Sequence, residues 1–196
     1  MQVTATRDAR PVQEVAQAVT VVGAAEILRE NPQVLAESLR GQVGTWFQQT
    51  TPGQGTPVVR GLKGSQVLHL VDGMRLNNAF FRSAPNQYLA LVDPYATERL
   101  EVVRGASPSL YGSDAMGGVV QVLTPEPGLS GSRWGIRSQA HGMADTADRA
   151  RILRLQTETG RDGFGMIGGV TWQDYGDRRT GDGRVRPTDY DARAAD

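Results

Sequence analysis

The chain contains no cysteine, only two histidines (His69 and His141) and 6% aromatic residues. Without cysteine it can build neither a disulfide framework nor a thiolate metal site. Two histidines in separate segments leave metal or haem ligation little to work with, so no metal site and no cofactor are expected within the chain. Lysine plus arginine and aspartate plus glutamate number 21 each, for a formal net charge of zero. That balance offers no electrostatic footprint for nucleic acid. No run approaches the ~18 apolar residues of a membrane-spanning helix. The opening MQVTATRDAR lacks an apolar core and does not read as a signal peptide, so an exported form would have had its signal removed. Neither GxxxxGK[ST] nor GxGxxG occurs, which excludes the common phosphate-cradling loops. No nucleophile, base and acid stand together, so no catalytic residue is expected and the chain reads as a non-enzyme. Asp72, Glu98, Glu101 and Asp114 are the one carboxylate set on which an enzymatic alternative would rest.

What the chain does have is glycine, 24 residues, much of it beside short β-branched runs. This is strand-and-turn grammar. Residues 1–18 mix small and polar types around Pro11 and read as an extended, mobile arm. A strand is expected at Val19–Val22, a helix at Ala24–Glu30 and a second helix from about Gln33 to Arg40, stopped by Gly41. Further strands are expected at Thr45–Phe47, Val58–Gly61, Val67–Val71, Met74–Leu76, Leu100–Val103 and Val119–Leu123. The Val67–Val71 run is nearly all apolar, as in a strand buried on both faces. Asp72-Gly73 marks a tight turn, and Tyr88–Val92 one turn of helix. Residues 19–126 thus form an α+β domain, a small mixed sheet with short helices.

After Thr124 the pattern changes. PEPGLSGS is a linker, and residues 132–196 then alternate. Trp134, Ile136, Ser138, Ala140 and Gly142 fall on one face, and Gly135, Arg137, Gln139, His141 and Met143 on the other. Leu153 and Leu155 oppose Arg154, Gln156 and Glu158. Phe164, Met166, Gly168, Val170 and Trp172 share a face. Long antiparallel strands with one apolar side, a short turn at Gly160–Gly163 and a long polar tail from Gly176 fit the start of an outer-membrane β-barrel. Phe164 and Trp172 lie about 27 Å apart along a strand, the height of its ~25 Å apolar band once tilt is allowed for.

Four segments, PVVRGLKGSQVLHLVDGMRLNN (57–78), QYLALVDPYATERLEVVRG (87–105), SLYGSDAMGGVVQVLT (109–124) and VTATR (3–7), together resemble the plug of TonB-dependent outer-membrane receptors. The resemblance covers most of residues 3–125. It implies that Val3, Thr4, Ala5 and Thr6 form a TonB box, which adds an extended strand to the periplasmic TonB protein. It implies that Arg60 and Arg104, each before a glycine, pair with glutamates of the barrel wall, a task suited to a forked, permanently charged guanidinium. It also implies ligand contact from two apical loops, through Gln48, Gln49 and Thr50 in the first and Phe80, Phe81, Arg82, Gln87 and Tyr88 in the second. The wording FRSAPNQYLALVDP is closer to haem and haemoglobin receptors than to the cobalamin type, whereas His69 reads as a core histidine.

The function so implied is energised uptake of a metal chelate such as a siderophore, haem or cobalamin across the outer membrane of a Gram-negative bacterium. The plug gates the barrel and couples to TonB, the arm lies in the periplasm, and the barrel meets outer-membrane lipid. Family barrels have about twenty-two strands and only the first few are expected here, so the chain reads as a receptor fragment. The alternative is a standalone plug that serves as a periplasmic ligand-binding or interaction module.

Overall fold

The computed structural model describes residues 2–3, 10–49, 53–78, 87–129, 131–146, 148–179, 181, 183 and 185–196. The chain divides into two compact units, Met1–Thr124 and Pro125–Asp196.

In the first unit, strand β1 (Ala18–Gly23) leads into helix α1 (Ala24–Glu30), which ends where Asn31 takes the left-handed conformation and its N–H returns to the Ile27 carbonyl. The second expected helix is instead a 3-10 segment at Leu35–Leu39. Its single short span carries buried Leu35 and Leu39 at one end each, and the eight-residue reading was too long because Pro32 and the extended Val34 precede it. Strands β2 (Thr45–Gln48) and β3 (Thr56–Val59) form a separate hairpin. Strand β3 stops at Val59, two residues before the expected end, because Arg60 and Gly61 both take positive φ and make a turn closed by Val59 and Leu62. Strands β4 (Val67–Val71) and β5 (Met74–Arg75) flank Asp72-Gly73, whose φ values of 47° and 80° are those of a type I′ hairpin turn. Strand β6 (Arg99–Arg104), helix α2 (Pro108–Tyr111) and strand β7 (Gly118–Leu123) complete the unit.

The main sheet has the order β1-β6-β7-β4-β5, with β4 and β7 parallel and the other pairs antiparallel. It is mixed, as expected, and covered on both faces. One face carries Val22, Leu100, Val102, Val120 and Val122 against Ile27, Leu35, Leu39 and Leu89. The other carries Leu68, Leu70, Val103 and Val119 against Ala115, with Val15 and Tyr111 at its margin. Each such aliphatic side chain contributes ~1.5–3 kcal/mol on burial, which makes these two layers the main stabilising term. At the start of β7 the chain passes too close for any side chain. A Cβ on Gly118 would lie 2.4 Å from the Val103 carbonyl oxygen, and one on Gly117 would lie 2.7 Å from Leu62 Cβ.

Gln2–Val3 pairs antiparallel with Arg10–Pro11, Val12–Glu14 forms a 3-10 turn, and β1 already begins at Ala18.

The second unit is an antiparallel sheet of β8 (Gly135–Ala144), β9 (Arg151–Arg161), β10 (Phe164–Tyr175) and β11 (Tyr190–Ala195), in that order. Asp162-Gly163 joins β9 to β10 in a two-residue turn of positive φ. The tail expected to be a long polar loop therefore contributes a strand. Tyr190–Ala195 pairs with β10 from Val170 to Tyr175, and a small pair, Arg178–Arg179 with Val185–Arg186, lies between.

Candidate functional site

The strands of the second unit have two chemically distinct faces, divided as the alternation implied. Ile136, Leu153, Leu155, Phe164, Met166 and Val170 are exposed, Ile136 by 75% and Val170 by 58%. Trp134 meets Phe164 edge to face at 6.0 Å at the end of the sheet that carries the short turn. A contiguous apolar face of this size is rarely left in water by a soluble protein. The opposite face is polar. Arg154, 4% exposed, reaches both carboxylate oxygens of Asp196 at 2.8 and 2.9 Å, Thr171 at 2.9 Å and Gln156 at 2.7 Å. An arginine so buried is tolerated because its donors are met.

Within the first unit, the turn that positions Arg60 and the strand end that positions Arg104 lie side by side. The Arg60 N–H donates to the Gly44 carbonyl at 2.9 Å, while its guanidinium lies over Gly105, so that a Cβ there would be 3.1 Å from Nη1. Arg104 Nη1 donates to Thr20 Oγ1 and, at 2.6 Å, to the Val43 carbonyl. Among the described residues no carboxylate forms an ion pair with either arginine. The structure thus brings the two together, with Arg60 exposed and Arg104 half-buried.

The expected ligand residues separate. Thr50, Phe80, Phe81 and Arg82 lie outside the described residues, as do Thr4, Ala5 and Thr6 of the expected TonB box; Val3 is described only as backbone paired with Arg10. Gln48 and Gln49 line a cavity of about 330 Å³ with Arg40, Gly41, Trp46 and Phe47. Arg40 lies over the Phe47 ring at 5.4 Å, Lys63 donates to Gln48 at 3.0 Å, and the Gln49 amide nitrogen is buried without a hydrogen-bond partner among the described residues. Gln87 donates to Gln54 at 2.8 Å, joining the two loops. Tyr88, by contrast, is 2% exposed and packs against His69 with ring centroids 5.3 Å apart. Arg40 and Trp46 were missed. The alternation in TWFQ, which buries Phe47 and turns Trp46 outward, was the available signal.

His69 is fully buried, as its strand suggested. Asn77 donates to the Val67 carbonyl at 3.0 Å, which orients its amide so that Oδ1 faces His69. That oxygen accepts from the His69 backbone N–H at 2.9 Å and lies 3.2 Å from Nδ1, so Nδ1 carries the ring proton. Burial pushes the His69 pKa down to about 4, against the opposing influence of Asn77, the Val67 carbonyl and Asp114. Asp114 in turn meets Arg75 at 3.1 Å, and Arg75 also donates to Ser113 Oγ and to the Tyr111 and Ser113 carbonyls. The VDGMRLNN and LYGSDAMGG segments are therefore two halves of one clamp. The four carboxylates of the enzymatic alternative serve separate contacts. Asp72 holds Thr124, Asp114 holds Arg75, and Glu98 and Glu101 share Arg99.

A covered mixed sheet followed in one chain by antiparallel strands apolar on one side and polar on the other is the arrangement of a plug domain leading into a strand sheet. The TonB-dependent Receptor Plug Domain family model matches residues 11–119, and the chain belongs to that family. It is 36% identical over 171 residues to the vitamin B12 transporter BtuB of Photobacterium profundum, covering 86% of this chain and 24% of that protein. It is 34% identical over 133 residues to the rhizobactin receptor of Rhizobium meliloti, covering 65% of this chain and 17% of that protein. The fold is that of the copper transporter OprC, with a TM-score of 0.73 at 22% identity over 88% of this chain and 26% of that one. The chain thus spans about a sixth to a quarter of the length of these relatives.

Proposed function

We propose that this chain is the plug and first barrel strands of an outer-membrane receptor that imports a metal chelate through energy delivered by TonB. The observation that carries the reading is the two-faced sheet of the second unit, joined directly to a plug-family domain. Its apolar face suits lipid and its polar face suits a lumen. A standalone periplasmic plug would have no use for such a face. The named relatives are a vitamin B12 transporter and a rhizobactin receptor, neither named for haem, which favours a cobalamin or siderophore over haem as cargo. In this reading Arg60 and Arg104 meet acidic groups of the barrel wall, and Gln48, Gln49 and Gln87 stand among the ligand-facing groups, beside Arg40 and Trp46. The receptor hydrolyses nothing and has no catalytic residue; its work is gating.

The test is calorimetric binding of a periplasmic TonB domain to the 196-residue chain in detergent micelles, beside a Val3→Pro variant. Proline removes a backbone donor and opposes strand addition. Binding is expected for the parent chain and its loss for the variant. A folded chain that binds equally with and without the proline would refute the placement of the TonB box at residues 3–6.

A further inference from the structure

The short connection between the two units is gripped at both ends by carboxylates. On one side Asp72 accepts from the Thr124 backbone N–H at 2.9 Å and from its hydroxyl at 2.7 Å. On the other, Oε1 of Glu158, a side chain 8% exposed, accepts from the consecutive backbone N–H groups of Gly128 and Leu129, the latter at 2.6 Å. Its second oxygen meets Arg137 Nη1 at 3.3 Å, which holds the carboxylate in place.

The wall around Glu158 is shaped to receive this segment. A Cβ on Gly165 would fall 2.6 Å from Pro127 Cβ, and one on Gly160 would fall 2.3 Å from the Leu129 carbonyl oxygen. Leu129 lies against Gly135, and the Asp162 N–H donates to the Gly131 carbonyl at 2.9 Å. Glycines on three neighbouring strands thus clear a seat for residues 127–129 on the polar face, where Glu158 fastens them.

We propose that Asp72 and Glu158 are two clips that confine the freely moving tether between the units to Pro125 and Glu126. The consequence is a leash of set length. From Thr124 to Pro127 the chain spans at most about 11 Å, whereas with the Glu158 clip open it runs from Thr124 to Gly131, where the Asp162 N–H still holds it, about 25 Å. Any displacement of the plug larger than the shorter leash must first release a carboxylate. The inference goes beyond the proposed import function and does not depend on which cargo is carried.

Hydrogen exchange read by mass spectrometry on the 196-residue chain in detergent micelles tests it, with protection of Arg151–Arg161 reporting that the sheet is folded. In the parent chain the Gly128 and Leu129 amides are expected to exchange at least about tenfold more slowly than in Glu158→Ala, since a charge-assisted hydrogen bond is lost there. Gly165→Val, which leaves the carboxylate intact but fills the Pro127 seat, is expected to release the same amides. Asp72→Ala should free the Thr124 amide and leave residues 128 and 129 protected. Parent amides that exchange as fast as an unstructured peptide would overturn the proposal. So would amides unchanged in both Glu158→Ala and Gly165→Val while the strands stay protected.

Discussion

Acidification from pH 7 to pH 5 is expected to weaken the first unit through His69. In the unfolded chain this imidazole has its ordinary pKa of 6.5, and in the fold burial lowers it to about 4. The folded state therefore holds the neutral ring while the unfolded state takes up a proton, so the unfolded state binds more protons throughout that window. Stability is full above pH 6.5, falls as the pH drops toward 4, and levels off below. At 1.36 kcal/mol per unit of pKa difference, the loss between pH 7 and pH 5 comes to about 2 kcal/mol. The groups facing His69 explain why the ring cannot escape by accepting the charge. Asn77 already presents its one oxygen, Tyr88 presents a ring, and the Asp114 carboxylate is shared with Arg75 and Asn77. The assay is urea unfolding of residues 1–124 at a series of pH values, followed at Trp46, the one tryptophan in that stretch. His69→Asn, which keeps a polar contact to Asn77 but does not titrate, serves as reference. The parent should lose about 2 kcal/mol more than the variant between pH 7 and pH 5. Equal slopes for the two proteins would refute the reasoning.

Two further outcomes follow from the clamp and from the close crossing. Arg75→Ala is expected to lower the stability of the first unit by about 1–2 kcal/mol in urea unfolding, because two carbonyls and a half-exposed carboxylate lose their donor; Arg75→Lys should recover little, since an ammonium cannot fork across Ser113, Asp114 and Tyr111. Gly118→Ala should cost about 3 kcal/mol or prevent folding, read as a lower urea midpoint, because its Cβ meets the Val103 carbonyl oxygen at 2.4 Å and backbone there cannot yield.

Much of this arrangement was legible before the fold was seen, for reasons that differ by element. The strands β4, β6 and β7 were visible because both of their faces are buried, so each carries a run of aliphatic residues. The faces of β8, β9 and β10 were visible because one side meets a different solvent. The turns at Asp72-Gly73 and Asp162-Gly163 announced themselves by residue type, since both positions need positive φ. By contrast, β11 was hidden. Its YDARAA carries no apolar face of its own, and only the register with β10 makes it a strand. The burial of Tyr88 was equally hidden, because its enclosure depends on His69, nineteen residues earlier, and on no local pattern. Nor does spacing reveal that Arg75 and Asp114 meet, or that a linker rich in proline and glycine is seated on Glu158. Those contacts are products of tertiary closure.

The unequal strength of the sheet bears on how a pull on the N-terminal segment would be felt. That segment leads straight into β1, an edge strand paired only with β6 in the main sheet and buried fully only at Val22. The opposite edge is fastened by the Arg75 clamp and the His69 network, and β6, β7 and β4 between them are buried almost throughout. Local opening is easiest where few apolar contacts and one ladder must be given up, which is β1. Arg104 is the exception to this weakness. Its guanidinium ties Thr20 of β1 to the Val43 carbonyl, close to the end at which the N-terminal segment enters. Only Nη1 makes that tie, so a carboxylate of a surrounding wall that took Nε and Nη2 would leave it in place. The arginine that the family resemblance assigns to fastening the plug in its barrel is thus also the one that holds the edge strand in its sheet.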